Sequence, residues 1–481
     1  MAMEQGPARV VTRIDECLSV RDGHLFIEGC DAIGLVERFG SPMYVVSEDQ
    51  LRRNARRFAR AFGDRWPEGT VNVLPSIKAN FSLALRRILT QEGMGCDTFG
   101  AGELSAALRS EVAPELISVN GSVKDQELID RAVEAGARIT LDSAAELPLV
   151  RRAAQRLGRR ASIRFRLRPI YDELDRPTEF AAEEIPIREA AREYKPGIPT
   201  EDLLPLGREA LGMGEVEVTG LMAHLGRHHR DLEVWRGMIR AFVRLIAELS
   251  SAWDGWTPGE IDVGGGYAAR RDPTGRLIPR LEGRAPDDLA PAIEEYAEAV
   301  TETLRGELGR HGLPAAGVTL EVEPGRSLFA DIGIHLASVR NVKRESTPVP
   351  WCWVETDTTE MFLVDSLIEH NLWTALVANR ADEPAAMTAD IVGKSCGFDV
   401  IVPQAKLPAA EPGDVIALLD TGAYQDASSS NFNALPRPAT VLVHGDDAEI
   451  VKRAETVDDV FRRDVVPDRL LDSHRAREGA R

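Results

Sequence analysis

The residues most able to do chemistry lie at the ends of apolar runs. Pro75-Ser76-Ile77-Lys78-Ala79-Asn80 ends one such run with a lysine. An amine at the mouth of a barrel strand is desolvated, which lowers its pKa and suits it to Schiff-base chemistry; a surface lysine at a loop start would look the same. Asp262-Val263-Gly264-Gly265-Gly266 follows another run with three glycines. Their backbone N–H groups and the dipole of a following helix can meet an anion closely, although a tight turn is the commoner use of such a triplet. Glu321-Val322-Glu323-Pro324-Gly325-Arg326 brings a guanidinium suited to the same anion. Amine, anion cradle and carboxylate together are the equipment for pyridoxal 5'-phosphate: an imine link, a phosphate anchor and, in Glu323, a partner that keeps the ring nitrogen protonated. A salt bridge between Glu323 and Arg326 is the plainer alternative.

These residues need a scaffold that points them at one place. Short apolar runs occur at 71–77, 94–99, 116–119, 138–141, 162–167, 218–225, 260–263 and 319–322. Segments of helical periodicity separate them at 82–90, 102–109, 125–134, 144–157, 232–250 and 289–308. Alternation of this kind implies a parallel sheet, and eight runs over roughly 250 residues fit a (β/α)8 barrel; a doubly wound open sheet is the competitor. In a barrel the lysine, the glycines and Arg326 follow the first, seventh and eighth strands, on the face where active sites form. Beyond residue 330 the runs 332–342, 351–355, 389–392, 415–419 and 440–443 alternate with turns and predict a β domain. The expected class is therefore α/β, a barrel plus a C-terminal β domain. Its parts are a lead at 1–45 that joins the β domain, a barrel at 46–329, the β domain at 330–465 and a charged tail at 466–481. Ser47-Glu48-Asp49-Gln50 is a capping-box start for the first barrel helix. The stretch 170–193 is an acidic, proline-containing insertion without sustained periodicity.

Composition narrows the class of function. The 481 residues carry 77 acidic and 58 basic side chains, a net charge of −19, which repels nucleic acid. No apolar run approaches the ~20 residues of a membrane helix, and MAMEQGPARV has no signal-peptide core. Cys17, Cys30, Cys96, Cys352 and Cys396 form no CxxC pair, which argues for a cytoplasmic protein and against a metal site.

Taken together, PSIKAN at 75–80, GCDTFGAGEL at 95–104, YKPGI at 194–198, GLMAHLG at 220–226, DVGGGY at 262–267, EPGRS at 323–327, GKSCGFD at 393–399 and DTGAYQDASSSNFNALPRPA at 420–439 are specific in order and spacing. With them the chain resembles the alanine-racemase-fold pyridoxal phosphate decarboxylases, the family of diaminopimelate and ornithine decarboxylases, from about residue 35 to about 459. The resemblance implies that Lys78 holds the cofactor as an imine, with Asp97 close to it. It implies that His224 stacks on the ring, that Glu323 binds its nitrogen, and that Gly264, Gly265, Gly266, Arg326 and Tyr424 hold the phosphate. It also implies a homodimer with a shared active site, in which the partner subunit's Cys396 is the general acid. A flat imidazole suits stacking, and a thiol can protonate the α-carbon once CO₂ has left.

Three departures bear on the site. Arg227-His228-His229 follows the His-x-Gly turn where the family usually has Ser, leaving Arg227 or His228 to replace that phosphate contact. Gly397, not Glu, follows Cys396, and the stretch 357–373 lacks the Arg that grips the distal carboxylate of diaminopimelate. A site without either grip should reject that substrate, because a buried charge without a partner is costly. Asp357, Glu360 and Asp365 lie where ornithine enzymes hold a distal amine, and Asp399 is a further substrate-binding candidate. The expectation is decarboxylation of a specialised L- or meso-type α-amino acid, such as a citryl-amino-acid siderophore precursor or a carrier-bound amino acid, with the insertion shaping specificity. The alternatives are diaminopimelate decarboxylase proper and a racemase or other α-carbon enzyme. Racemisation is disfavoured because Glu323, rather than Arg, stands at the ring nitrogen.

Overall fold

A computed structural model describes residues 11–13, 15–175, 186–225, 228–271, 290–368, 371 and 373–471. Arg227, the middle of the 170–193 insertion, the start of the helix expected at 289 and the end of the tail lie outside these residues.

Eight parallel strands form the barrel: Val71–Val73, Cys96–Thr98, Ile117–Val119, Arg138–Leu141, Ala161–Arg166, Val216–Met222, Glu260–Asp262 and Thr319–Val322. From the second to the eighth, each pairs with its neighbour in sequence, and the eighth returns to the first through Leu320↔Val71. Between the first and second strands the ring closes by Gly95 N–H donating to Val73 O at 3.0 Å and an isolated bridge, Ser76↔Asp97. Side chains alternate across each strand. Ile163, Phe165, Leu320 and Val322 are fully buried in the barrel's apolar core. Their strand neighbours Arg164, Glu321 and Glu323 meet one another through salt bridges.

The first helix, Glu48–Gly63, begins where its cap predicts: Ser47 Oγ accepts from Gln50 N–H at 2.9 Å. Two expectations shift. The first strand stops at Val73 and Lys78 lies in a 3₁₀ turn, Ile77–Ala79, because Pro75 cannot donate to a ladder and takes the chain out of the sheet. Inside the insertion Ile187–Glu193 is helical, and Thr200–Leu211 is a further helix whose internal Pro205 hides its periodicity.

The second domain is a nine-stranded sheet around the long strand Gly333–Glu345. Met43–Ser47, ahead of the barrel in the chain, is inserted between Gly333–Glu345 and Ala439–His444. Val400–Leu407, Ala375–Val377 and Asp447–Lys452 join it without having shown as runs in the sequence, and residues 11–31 form a separate four-stranded sheet. Among the described residues no helix is long and apolar enough to cross a membrane.

Candidate active site

Lys78 stands at the closing seam of the barrel. Its Nζ donates to Ser76 Oγ at 3.1 Å and to Asp97 Oδ2 at 3.3 Å, and Ser76 Oγ donates to the same carboxylate at 2.6 Å. The barrel surrounds the side chain, yet 46% of its surface faces an open cavity. Burial lowers the amine's pKa as expected, but the Asp97 carboxylate beside it outweighs burial and holds the amine protonated, which corrects the sequence expectation. Burial pushes Asp97 up, and Lys78 with the Ser76 hydroxyl pulls it below the usual carboxylate range.

The cavity, about 910 Å³, is bounded by Lys78, His224, Gly266, Gly325, Arg326 and Tyr424. His224 follows the sixth strand, and burial beside Arg166 and Lys78 depresses its pKa to about 3, so its ring is neutral. The glycine run is packed tightly. A Cβ on Gly264, where φ is +71°, would meet His224 Cα at 2.8 Å, and one on Gly265 would meet Glu323 O at 2.1 Å. On the facing side a Cβ on Gly325 would meet Tyr424 Oη at 2.9 Å. Tyr424 has φ +69°, an uncommon conformation for a non-glycine residue, and its N–H donates to Ala79 O at 2.7 Å, locking it to the lysine turn. Arg326 lies over the Tyr424 ring at 4.8 Å and pairs with Asp365 at 2.6 Å rather than with Glu323.

Glu323 is enclosed behind the cavity, following the eighth strand and two residues before Gly325, which lines it. Asn120 Nδ2 donates to its Oε1 at 2.5 Å and to Asp97 Oδ1 at 2.7 Å. Burial, with Asp262 and Asp97 nearby, drives the Glu323 pKa well above the carboxylate range.

The structure thus brings Lys78, Asp97, His224, Gly264, Gly265, Gly266, Glu323, Arg326 and Tyr424 together. His228 also lines the cavity, and its N–H donates to Gly266 O at 2.6 Å. Of the acidic substrate candidates only Asp365 reaches the cavity of its own chain. Asp357 binds Arg340 and Ser41 at 2.7 Å. Asp399 is enclosed, accepting from Glu360 N–H and Ser395 N–H at 2.6 Å, so it shapes its own loop, and Glu360 shares that loop. Cys396 is exposed, with Asn433 Nδ2 at 3.3 Å from its sulfur, and it does not line its own chain's cavity. Sequence reasoning missed Asn120, Arg164 and Asp262; charged residues at alternate positions of barrel strands, as in Ile163-Arg164-Phe165-Arg166, were the available signal.

Residues 48–330 match the family described as pyridoxal-dependent decarboxylase, pyridoxal binding domain. The chain belongs to this family. It is 31% identical over 467 residues to diaminopimelate decarboxylase of Methanocaldococcus jannaschii, covering 95% of this chain and 98% of that one. It is 30% identical over 454 residues to the Archaeoglobus fulgidus diaminopimelate decarboxylase, covering 94% and 100%. The crystal structure of the M. jannaschii enzyme superposes with a TM-score of 0.85 at 28% identity over 95% of this chain and 99% of that one. The protein is a pyridoxal phosphate-dependent amino-acid decarboxylase. The pyridoxal phosphate decarboxylase site fits its cofactor: an amine beside a carboxylate, a neutral imidazole, a glycine cradle without room for a Cβ at Gly264 and Gly265, and an enclosed carboxyl behind them.

Proposed function

We propose that this decarboxylase acts on an L- or meso-type α-amino acid other than meso-diaminopimelate, as a homodimer in which each cavity is completed by the partner. The barrel, 46–329, carries the cofactor, and the β domain, 330–465, carries the partner-facing thiol. The observation that carries the substrate reading is the cavity wall. Away from Lys78 it runs along Ile170, Tyr171, Ile187 and Arg188 of the insertion, leaving room for a larger side chain. The stretch 357–373 offers it Asp365, whose carboxylate is already engaged by Arg326. Neither grip for a diaminopimelate end is present in Gly397 or in 357–373. The dimer reading is supported by the loop around Cys396, where Phe398 is 98% exposed.

Pyridoxal phosphate, when bound, supplies an aldehyde for the substrate amine and a ring that absorbs the electrons left as the α-carboxylate departs. Lys78 supplies the linking amine, and Asp97 holds its proton. Gly264, Gly265 and Gly266, with Arg326 and Tyr424, anchor the phosphate end. His224 covers one face with an uncharged ring and keeps water from it. Glu323 holds a proton toward the ring nitrogen, and the partner subunit's Cys396 protonates the α-carbon after CO₂ leaves.

Steady-state rates on a panel of α-amino acids test the substrate reading. Citryl-amino acids, carrier-bound amino acids, ornithine, lysine and meso-diaminopimelate belong on it, and efficient turnover of the last would overturn the proposal. Diaminopimelate decarboxylase proper is the second reading, favoured by the 31% identity to a relative of that name.

A further inference from the structure

Behind the cavity the barrel is filled with charge. Arg164 and Arg138 are buried on the fifth and fourth strands, facing Asp262, Glu321 and Glu323. Arg138 Nη2 donates to both oxygens of Glu321 at 2.7 Å, and Arg164 Nη1 donates to Glu321 as well. Arg164 Nη2, which also donates to Ser118 Oγ at 2.6 Å, is the guanidinium nitrogen that meets the remaining two carboxyls, at 2.5 Å from Asp262 and 3.5 Å from Glu323. Three enclosed carboxyls thus face two guanidiniums, and an enclosed carboxylate without a cation is too costly to persist.

Position decides which carboxyl takes the proton. Asp262 has the nearer guanidinium, whereas Glu323 has the farther one and a second acid, Asp97, across Asn120. Burial, with Asp262 and Asp97 nearby, raises Glu323 well above the ordinary carboxylate range, in agreement with that placement. Asp262 Oδ2 is fully enclosed, with the Arg164 guanidinium 2.5 Å away.

We propose that Arg164 is a positioning residue acting through Glu323: by engaging Asp262 more closely than Glu323 it keeps one proton stored on Glu323, and Glu323 gives that proton to the ring nitrogen as the cofactor enters. The O–H bond of Glu323 breaks and an N–H bond to the ring nitrogen forms. Arg164 with Asn120 steadies the carboxylate that remains. The inference rests on the reading of Glu323 as the ring-nitrogen partner, but its first step concerns the cofactor-free chain alone.

Infrared spectroscopy of the carboxylic C=O stretch tests it without turnover. The cofactor-free wild type at pH 8 should show one buried carboxylic acid per chain, absent in Glu323→Gln; no such band, or one that survives in Glu323→Gln, overturns the stored proton. Addition of pyridoxal phosphate to wild type should abolish the band. If the band belongs to Glu323 yet persists on loading, the reading of Glu323 as the nitrogen's partner fails while the stored proton stands. The double variant Arg164→Met/Glu321→Gln removes one charge of each sign and leaves Asp262 without its close cation. Its band should outlast cofactor loading, and disappearance as in wild type overturns the role of Arg164. Arg164→Lys, which keeps the charge but cannot span both carboxyls, provides the same readout if the double variant does not fold.

Discussion

Asp97 and Glu323 hang from a single nitrogen: Asn120 Nδ2 donates at 2.7 Å to the first and at 2.5 Å to the second. The acid beside the linking lysine and the acid behind the cavity are therefore held in fixed relation by one amide. Removing a buried donor leaves two acceptors unsatisfied, at a cost of about 1–3 kcal/mol. Asn120→Ala is expected to lose roughly ten- to a hundredfold in kcat, at about 1.4 kcal/mol per decade, while still binding cofactor. Steady-state kinetics beside the visible absorbance of the bound cofactor check this; unchanged kcat would remove Asn120 from the site.

Cys396 lies outside the cavity of its own chain. Cys396→Ala should lower kcat by about 10²–10⁴, the usual worth of a general acid, with the cofactor spectrum intact. Mixing it with Lys78→Ala subunits should restore activity, because a mixed dimer regains one complete site. Failure of such mixtures to recover any turnover, with subunit exchange verified, would contradict a shared site.

Gly265 has no space for a methyl group, since a Cβ there would lie 2.1 Å from Glu323 O. Gly265→Ala is expected to cost about 1–3 kcal/mol of stability through overpacking. It should also weaken cofactor binding, because the obstructed atom belongs to the acid behind the cavity. Thermal unfolding with and without cofactor reads both effects.

Asp331, at the junction of barrel and sheet, is pushed up to about 7, chiefly by burial, against the hydrogen bond from Asn54. An unfolded aspartate titrates near 4, so between about pH 4 and pH 7 the native chain binds more protons than the unfolded one. Stability contributed by this group is present below that window and falls as pH rises through it. The melting temperature of Asp331→Asn should gain on wild type from pH 5 to pH 8. A constant difference would show that Asp331 does not titrate there.

Most of the barrel was legible because its strands and helices carry the two periods that separate them, and because Lys78, Gly264–Gly266 and Arg326 fall at strand ends. The lysine's protonation was not, since it depends on Asp97, which another strand brings beside it. Thr200–Leu211 was hidden by Pro205, and Val400–Leu407 by Pro403 and Gln404, which interrupt its apolar alternation. The buried ion network went unread for a different reason. Arg164 and Arg166 mark their strand as unusual, but no partner can be named for Arg164 until the barrel turns Glu321, Glu323 and Asp262 to face it.

The strand Met43–Ser47 is buried at every position, between partners at Gly333–Glu345 and Ala439–His444. On the ribosome it emerges long before either neighbour, so the barrel can assemble while this ribbon waits with both edges bare. The N-terminal strand can complete both of its ladders only after Ala439–His444 has emerged, and release of an incomplete chain would leave one of its edges uncovered.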